Sequence, residues 1–116
     1  MQLSFLKSKI HRATITKADL HYEGSISIDE DLLNKAGIFV NEKVDVLDIN
    51  NGERFSTYAI AAPRGSGEIQ INGAAARKVH VGDLVIIIAY CLIDEKEAAD
   101  FKSKVLLVDE RNQCLA

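Results

Sequence analysis

The sequence lacks the features that mark nucleic-acid-binding and membrane-spanning proteins. Its 14 Lys and Arg residues are outnumbered by 17 Asp and Glu residues, which gives a formal net charge of −3. The longest basic block is the pair Arg77-Lys78, whereas a phosphate-binding groove needs clustered cations. The longest apolar run, from Leu84 to Ile93, is about half the roughly 20 residues that a membrane span requires. We therefore expect neither nucleic acid nor a membrane as a partner.

Cysteine and histidine are too sparse to predict a metal site. Cys91 and Cys114 could pair with each other, but neither has a second Cys or His at ligand spacing, so we interpret them as structural thiols. No metal-binding constellation surrounds His21 or His80, and we expect no metal. The first residues carry no basic region before their apolar stretch, unlike a signal peptide. We therefore expect a cytoplasmic protein.

Length and composition favour a single domain covering residues 1–116. Of the 116 residues, 47% are hydrophobic, which is enough for one core without disulfide or metal staples. The sequence has no internal repeat, low-complexity tract or linker, and the single proline, Pro63, lies in a turn cluster. One compact folding unit is the simplest interpretation.

Short runs of β-branched and alternating apolar residues predict several strands. The turn signal Asn50-Asn51-Gly52 joins two of them in a β-hairpin, because these residues tolerate positive φ. The continuous apolarity of residues 84–92 predicts a strand buried on both faces. The predicted strands are 10–16, 25–28, 43–49, 54–62, 68–71, 84–92 and 104–109.

Helices are expected to be short and few. Ser27 and Glu30 have the spacing of a capping box and predict a helix over 28–36, which Gly37 ends in a left-handed conformation. Further short helices are predicted over 72–77 and 94–101. Many strands separated by turn signals at short intervals favour a mainly β protein, a small β-barrel with short helical connections.

The step Gly24-Ser25 carries the first candidate chemistry. Taken alone, it would be a turn leading into a strand. A serine hydroxyl can also attack the carbonyl before it, and a glycine at position 24 permits the necessary bend without a Cβ clash. An ester would replace the amide. Elimination and loss of ammonia would then convert Ser25 into a pyruvoyl group at a new N-terminus.

Five strings that include this step resemble the pyruvoyl-dependent aspartate 1-decarboxylases. They occur in the order and at the spacing of that family, and the resemblance covers about Lys9 to Cys91. The strings are Lys9-Ile10-His11-Arg12-Ala13, Ala18-Asp19-Leu20-His21-Tyr22-Glu23-Gly24-Ser25, Asn51-Gly52-Glu53-Arg54-Phe55-Ser56-Thr57-Tyr58, Ile71-Asn72-Gly73-Ala74-Ala75-Ala76 and Val81-Gly82-Asp83-Leu84-Val85-Ile86-Ile87.

The resemblance implies a double-psi β-barrel that assembles as a homotetramer with sites between subunits. It implies a zymogen that cleaves itself autocatalytically into a β chain of residues 1–24 and an α chain of residues 25–116. The covalently bound pyruvoyl group from Ser25 would form a Schiff base with L-aspartate. The products would be CO₂ and β-alanine, a precursor of pantothenate and coenzyme A.

The resemblance also implies a role for each matching residue. Ser25 is the pyruvoyl source and Tyr58 the proton donor, while Gly24 and Thr57 take part in self-processing together with Ser25. The implied substrate contacts are Lys9, Arg54, Thr57, Asn72, Gly73, Ala74 and Ala75.

The chemistry is compatible with these residue types. A phenol such as Tyr58 can protonate the carbanion left by CO₂ if a nearby cation favours its ionised form. Arg54 lies four residues earlier on the same predicted strand and is expected on the same face. Its guanidinium suits a carboxylate, and we assign it to the one that stays, because neutralising the leaving one opposes CO₂ loss. Arg54→Lys is accordingly expected to weaken aspartate binding.

Each of these residues also has an ordinary structural interpretation. Arg54 or Tyr58 alone would more often be an ordinary surface or core residue. Lys9 and His11 alternate with Ile10 and would usually form the solvated face of a strand. Two other functions remain open: a binding module in which Gly24–Ser25 stays intact, and a pyruvoyl enzyme for another amino acid. The choice of amino acid depends on whether Arg54 and Lys9 converge on a second carboxylate of the substrate.

Overall fold

The structure, a computed structural model, describes residues Met1–Leu115. In this part of the chain, eight strands form one mixed β-sheet. Ala116, the last residue of the predicted domain and of the predicted α chain, lies outside the described residues. The sheet order is β2-β6-β3-β5-β4-β7-β1-β8. The strands are β1 (Gln2–Thr14), β2 (Lys17–Asp19), β3 (Ser25–Asp29), β4 (Lys43–Asp48), β5 (Arg54–Ala62), β6 (Ile69–Asn72), β7 (Leu84–Asp94) and β8 (Lys104–Leu107).

The sheet combines parallel and antiparallel strand pairs. Strands β2 and β6, β3 and β5, and β1 and β8 run parallel, whereas β3–β6, β4–β5, β4–β7 and β1–β7 are antiparallel. Strands β3 and β5 are neighbours although β4 lies between them in sequence, so the connection from β3 to β5 is a crossover. The expectation of a mainly β chain with short helical connections is confirmed.

The core lies on the inward face of the strands and is built from branched aliphatic side chains. Burial of each such side chain contributes roughly 1.5–3 kcal/mol to stability. Because side chains alternate between the two faces of a strand, every second residue of β3, β4, β6 and β7 reaches this core. Fully buried members are Ile10, Ile15, Ile26, Ile28, Leu32, Val44, Val46, Ile69, Ile71, Val85 and Ile87.

The predicted hairpin is confirmed. Strands β4 and β5 pair from Lys43 with Tyr58 to Leu47 with Arg54, and Gly52 adopts the left-handed φ of +78° that the turn requires. Strand β5 has the predicted bounds, whereas the strands predicted at 43–49, 68–71 and 104–109 differ from β4, β6 and β8 by one or two residues at an end.

Strand β1 is longer than predicted, and the prediction of one strand over 10–16 was wrong. The segment before residue 10 joins the sheet because Gln2 to Leu6 pair with the second half of β7, from Asp94 to Tyr90. At its other end β1 stops at Thr14, and a separate strand, β2, pairs with β6. Bulges interrupt the β1–β7 register, one of them around Arg12 at a φ of +64°.

The only α-helix of the described residues is α1 (Glu30–Ala36). Its N-cap is Asp29, whose carboxylate accepts a hydrogen bond from the Asp31 N–H, so the expected capping box at Ser27 was wrong. The reason is that β3 continues through Asp29 by pairing with β5, which leaves Ser27 inside the strand. Gly37 ends the helix at a φ of +71°, as predicted.

The two other predicted helices are only 3₁₀ turns. One spans Gly73–Lys78, because Asn72 is still paired in β6. The other is limited to Glu95–Glu97, because Asp94 still pairs with Gln2 in the sheet. No helix within Met1–Leu115 is long and apolar enough to cross a membrane.

Strand β7 is not buried on both faces, and that prediction was wrong. Its inward residues are buried, but Ile86 and Ile88 are half-buried, and Tyr90 and Leu92 are 43% and 68% exposed. No element of the described chain covers this side of the sheet. We call the outward side of β5, β4, β7 and β1 the open face.

Candidate functional site

The Gly24–Ser25 peptide lies where the chain passes from solvent into the sheet. Residues His21 to Gly24 are exposed, whereas Ser25, the first residue of β3, is only 2% exposed. Ser25 pairs with Asn72, the last residue of β6. This pairing holds the serine side of the bond rigidly while the glycine side remains accessible.

Two hydrogen bonds orient the Ser25 hydroxyl. It donates to the carbonyl oxygen of Glu23 at 3.0 Å and accepts from Asn72 Nδ2 at 2.9 Å. The same nitrogen donates to Ser27 Oγ at 3.1 Å, and Asn72 Oδ1 accepts from Gln70 Nε2 at 2.6 Å. The hydroxyl is therefore held by a polar cluster that joins β3 to β6.

The tightest steric space next to this bond is at Gly73. Gly73 has a φ of +79°, and a Cβ atom there would lie 2.7 Å from Gly24 Cα and 2.9 Å from Gly24 N. Gly24 itself does not have a positive φ, and a Cβ on it would meet nothing within 4 Å. The role of Gly24 in permitting a bend stays a prediction. The close approach of Gly73 to Gly24 is the steric constraint.

Arg54 and Tyr58 lie on one face of β5. Both are exposed, whereas the alternating residues Phe55 and Thr57 are half-buried. The parallel register pairs Ile26 with Ala59, so one step earlier Ser25 is level with Tyr58. Thr57 lies on the opposite face of β5, since strand side chains alternate.

Lys9 shares the open face but lies far from Arg54 along the sheet. Lys9 pairs with Ile88 of β7, and Arg54 pairs with Leu47 of β4. Strands β4 and β7 separate β5 from β1, which corresponds to about 14 Å along the sheet at the usual strand spacing. Within one chain, Lys9 and Arg54 are therefore not adjacent.

Three side-chain cations of the described chain are held in ion pairs. Lys7 is paired with Glu42, Arg64 with Glu30 and Asp31, and Lys78 with Glu53. Within Met1–Leu115, neither Lys9 nor Arg54 forms an ion pair. Both are therefore free to bind an anionic ligand.

Three residues near the site were missed by the sequence-based reasoning. Gln70 and Ser27 contact Asn72, and Lys43 is the cross-strand partner of Tyr58. The signal was present in the sequence, since polar residues two apart on a strand share a face. A hairpin register counted from Gly52 would likewise have placed Lys43 opposite Tyr58.

His11 is more enclosed than a solvated strand residue. It pairs with Ile86 on the open face, and its Nδ1 atom is buried without a hydrogen-bond partner among the described residues. Leu47 also pairs with Ile86, so one cross-strand row leads from His11 to Arg54.

Two carboxyl groups, Asp48 and Asp83, influence each other's pKa below the hairpin that presents Arg54. Burial raises the pKa of Asp48, and a hydrogen bond to Asp83 raises it further, while the same hydrogen bond lowers the pKa of Asp83. Asp48 Oδ1 accepts from the N–H groups of Asn50 and Asn51. The pair thus organises the turn before β5.

The described residues contain no cluster of side chains that could hold a metal ion. Cys91 and Cys114 are free thiols and half-buried, in line with their interpretation as structural residues. The exposed segment around His21 and the loop at His80 contribute no metal ligands within the described chain.

Comparison with known proteins links this site to one family. Residues 1–115 match the model of a family described as Aspartate decarboxylase. A protein named Aspartate 1-decarboxylase from Maricaulis maris is 59% identical over all of this chain and 96% of its own length. Proteins of that name from Burkholderia vietnamiensis and Carboxydothermus hydrogenoformans are 58% and 59% identical, each over 97% of this chain and 89% of its own length.

Solved structures similar to this chain include rationally designed proteins. One, titled mkDPBB_sym1, superposes with a TM-score of 0.49 and 22% identity, covering 73% of this chain and 96% of its own.

Proposed function

The chain belongs to the aspartate decarboxylase family, and on that premise we propose that it removes the α-carboxylate of L-aspartate with a pyruvoyl group made from its own Ser25. The products are β-alanine and CO₂, and the β-alanine feeds the synthesis of pantothenate and coenzyme A. The fold is that of a small, mainly β double-psi barrel. The observation that carries the proposal is the buried, doubly hydrogen-bonded Ser25 hydroxyl beside an exposed Gly24.

The first step of the proposed function is self-cleavage between Gly24 and Ser25. Ser25 Oγ forms a bond to the carbonyl carbon of Gly24, the carbon–nitrogen bond breaks, and the hydroxyl proton passes to the released nitrogen. Elimination then frees the Gly24 carboxylate, and hydrolysis by one water releases ammonia. Residues 1–24 and 25–116 become separate chains. Thr57, which directly precedes Tyr58 in the sequence, is assigned an auxiliary role in self-cleavage.

The surroundings of residue 25 fit a pyruvoyl group. Gly73 leaves space beside residue 24 that a Cβ atom would fill, and the Ser25 oxygen that Asn72 Nδ2 contacts departs with Gly24 on elimination, which leaves this donor beside the new group. Such a group supplies a carbonyl that binds the substrate's amino group and accepts the electron pair left by CO₂.

Tyr58 is the proposed proton donor to the α-carbon. It is level with Ser25 in the β3–β5 register, and its phenol oxygen can deliver a proton directly or through one water. Lys43 is its cross-strand neighbour.

Arg54 and Lys9 are the proposed ligands of the substrate's carboxylates. Arg54 binds the one that stays, because a guanidinium forms bidentate hydrogen bonds to a carboxylate. The backbone from Asn72 through Gly73, Ala74 and Ala75 also contacts the substrate. These residues line the start of the 3₁₀ turn, and Gly73 allows its N–H group a close approach.

Assembly as a homotetramer with sites between subunits is part of the proposal. The separation of Lys9 from Arg54 along the sheet and the exposed apolar residues Tyr90 and Leu92 on the open face support it. A second copy packed on this face would cover those residues and could bring its own Lys9 or Arg54 to the first copy's Ser25. The cytoplasmic location stays a prediction.

The proposal is tested by following CO₂ release and β-alanine formation from L-aspartate with purified protein after warm incubation. We expect activity in the wild type and in Ser66→Ala, which alters an exposed serine of the loop after β5, and none in Ser25→Ala. L-Glutamate and L-alanine serve as competing substrates. Cleaved protein that decarboxylates one of these instead of aspartate contradicts the substrate, and folded protein that never cleaves favours the binding module.

A further inference from the structure

Four polar side chains form a closed cluster on β3 and β6 at the proposed cleavage site. They are Ser25, Ser27, Gln70 and Asn72, of which Asn72 is 1% exposed. Ser25 pairs with Asn72 and Ser27 with Gln70 across the two strands, so all four side chains lie on one face of this strand pair. We call these four residues the amide cluster.

The orientation of the Asn72 amide determines which group faces Ser25. An asparagine presents an acceptor oxygen on one side and a two-proton donor on the other. Gln70 Nε2 donates to Asn72 Oδ1 at 2.6 Å, and the Asn72 nitrogen therefore faces both serine hydroxyls, at 2.9 and 3.1 Å. The hydroxyls alone would accept either orientation, because each can donate or accept. Gln70 is the member of the cluster that favours one.

We propose that Gln70 is a positioning residue for self-cleavage, an inference that rests on the proposed function. By holding Asn72 Oδ1, it keeps the Asn72 N–H directed at Ser25 Oγ. As the Oγ proton leaves for the amide nitrogen, negative charge develops on Oγ before its bond to the Gly24 carbonyl carbon is complete, and that N–H stabilises the charge on Oγ. Gln70 touches none of the reacting atoms and acts only through Asn72.

The opposite orientation would hinder the same step. With the amide reversed, Oδ1 would face Ser25 Oγ and accept its proton, and no donor of this cluster would remain for the developing charge. The hydroxyl would then be held by an acceptor on both sides, Glu23 O and Asn72 Oδ1, competing for one proton. Loss of the Gln70 amide is therefore expected to slow cleavage rather than unfold the chain.

Two variants of Gln70 test this directly. Gln70→Met keeps the length of the side chain but removes the donor, and we expect the first-order rate of cleavage, followed by mass spectrometry, to fall roughly tenfold, the factor that one ordinary hydrogen bond provides. Gln70→Glu places an acceptor against Asn72 Oδ1 and favours the reversed amide. We expect a larger fall at pH 8, and recovery relative to the wild type as the pH is lowered and the introduced carboxyl group gains a proton to donate.

Matched controls separate orientation from general damage. Gln113→Met removes an exposed glutamine that bonds Arg111 O, and cleavage should be unchanged. Ser27→Ala removes the other hydroxyl bonded to Asn72 and should slow cleavage less than threefold, because Gln70 still holds the amide. Wild-type rates in both Gln70 variants overturn the inference, and so does a slow Gln70→Glu whose rate relative to wild type is independent of pH.

A second readout keeps the inference separate from the proposed function. The side-chain amide signals of Asn72 in ¹⁵N-labelled, uncleaved chain should shift and broaden in Gln70→Met. If the wild type cleaves and Gln70 has no effect, the inference falls and the proposed function stands. If the wild type never cleaves, the proposed function fails. In that case, unchanged Asn72 signals in Gln70→Met also overturn the inference, whereas shifted signals show that Gln70 positions the Asn72 amide.

Discussion

At the scale of single residues, Gly73 carries the strictest steric requirement near the proposed cleavage site. Its φ of +79° is unfavourable for any residue with a Cβ, and that Cβ would approach Gly24 Cα to 2.7 Å. The contact is with backbone, which cannot rotate away. A larger residue at position 73 must therefore displace the Gly24 segment or the 3₁₀ turn.

Comparing Gly73→Ala with Gly52→Ala isolates this contact. Gly52 has nearly the same φ, +78°, but a Cβ there meets nothing within 4 Å. We expect Gly52→Ala to cost about 1 kcal/mol of unfolding free energy through backbone strain alone. Gly73→Ala should cost at least about 1 kcal/mol more and should also slow cleavage. Equal losses in urea unfolding, with equal cleavage rates, would show that the close approach has no consequence.

The Asp48–Asp83 pair gives a second prediction at this scale, on pH. Burial raises the pKa of Asp48. The contribution of this group to the free energy of unfolding is therefore present at low pH and is lost as the pH rises through the folded-state pKa. Asp48→Asn keeps the oxygen that accepts from Asn50 and Asn51 and supplies Asp83 with a permanent donor. We expect this variant to gain stability over the wild type, and to gain more at pH 8 than at pH 5.

Urea unfolding at the two pH values measures this gain. Asp45→Asn serves as the control, because Asp45 lies on the outward face of the same strand and accepts from Ser56 Oγ. A gain for Asp48→Asn that is the same at both pH values would contradict a raised pKa of Asp48.

The sequence was informative for residues whose role depends on their own chemistry and less so for those whose role depends on a distant contact. The shared face of Arg54 and Tyr58 followed from alternation along one strand. The need for glycine at position 73 arises from contact between segments far apart in the chain. Gln70 likewise matters only because β6 pairs with β3, a pairing that local patterns do not specify.

At the scale of elements, Asp29 joins α1 to the loop after β5. Its carboxylate accepts from the N–H groups of Asp31, Gly65 and Gly67 at 2.8–2.9 Å. Burial by itself would raise the pKa of Asp29, but these hydrogen bonds, with the charge of Arg64, outweigh it and the pKa is lowered. One side chain therefore fixes a helix start and a loop together.

We predict that Asp29→Ala lowers the free energy of unfolding by about 3 kcal/mol, since it removes a cap and leaves buried N–H groups unpaired. The matched variant Asp31→Ala breaks only an exposed ion pair with Arg64 and should cost less than about 1 kcal/mol. The loss of unfolding free energy in Asp29→Ala should have its full size above the carboxyl pKa of the unfolded chain, about 3.9. It should shrink as the pH falls through the lower folded pKa. Similar losses in the two variants at pH 7 would refute this role.

Element boundaries were predictable where local signals agreed with sheet pairing. Strand β5 has a turn glycine before it and Pro63 after it, and its bounds were predicted. The helix expected over 94–101 failed because Asp94 is held in β7 by Gln2, so pairing between the chain's first strand and β7 outweighs local helix propensity. Ser27 failed as a cap for the same reason, since β3 continues past it.

At the scale of the whole molecule, the open face is a surface that no element of the described chain covers. Apolar Ile86, Ile88 and Tyr90 lie on it between the cation-bearing strands β1 and β5. The apolar sequence of β7 predicted burial on both faces, which fails for the isolated chain but would hold if a second copy covered this side. The proposed homotetramer accounts for that difference.

We therefore predict that Ile88→Lys shifts the assembly to smaller species in analytical ultracentrifugation and lowers decarboxylation in parallel, because a buried, unpaired ammonium opposes packing. Val81→Lys is the control, since Val81 is 62% exposed and lies in the turn before β7 rather than on a strand of the open face. A fully active Ile88→Lys with wild-type mass would exclude this face as the interface.

The most direct test of the central claim is the mass spectrum of the denatured protein after warm incubation. The account predicts two fragments that meet at Gly24 and Ser25, the larger being lighter by one ammonia than a chain that starts with serine. A folded protein in which only the intact chain persists would contradict it.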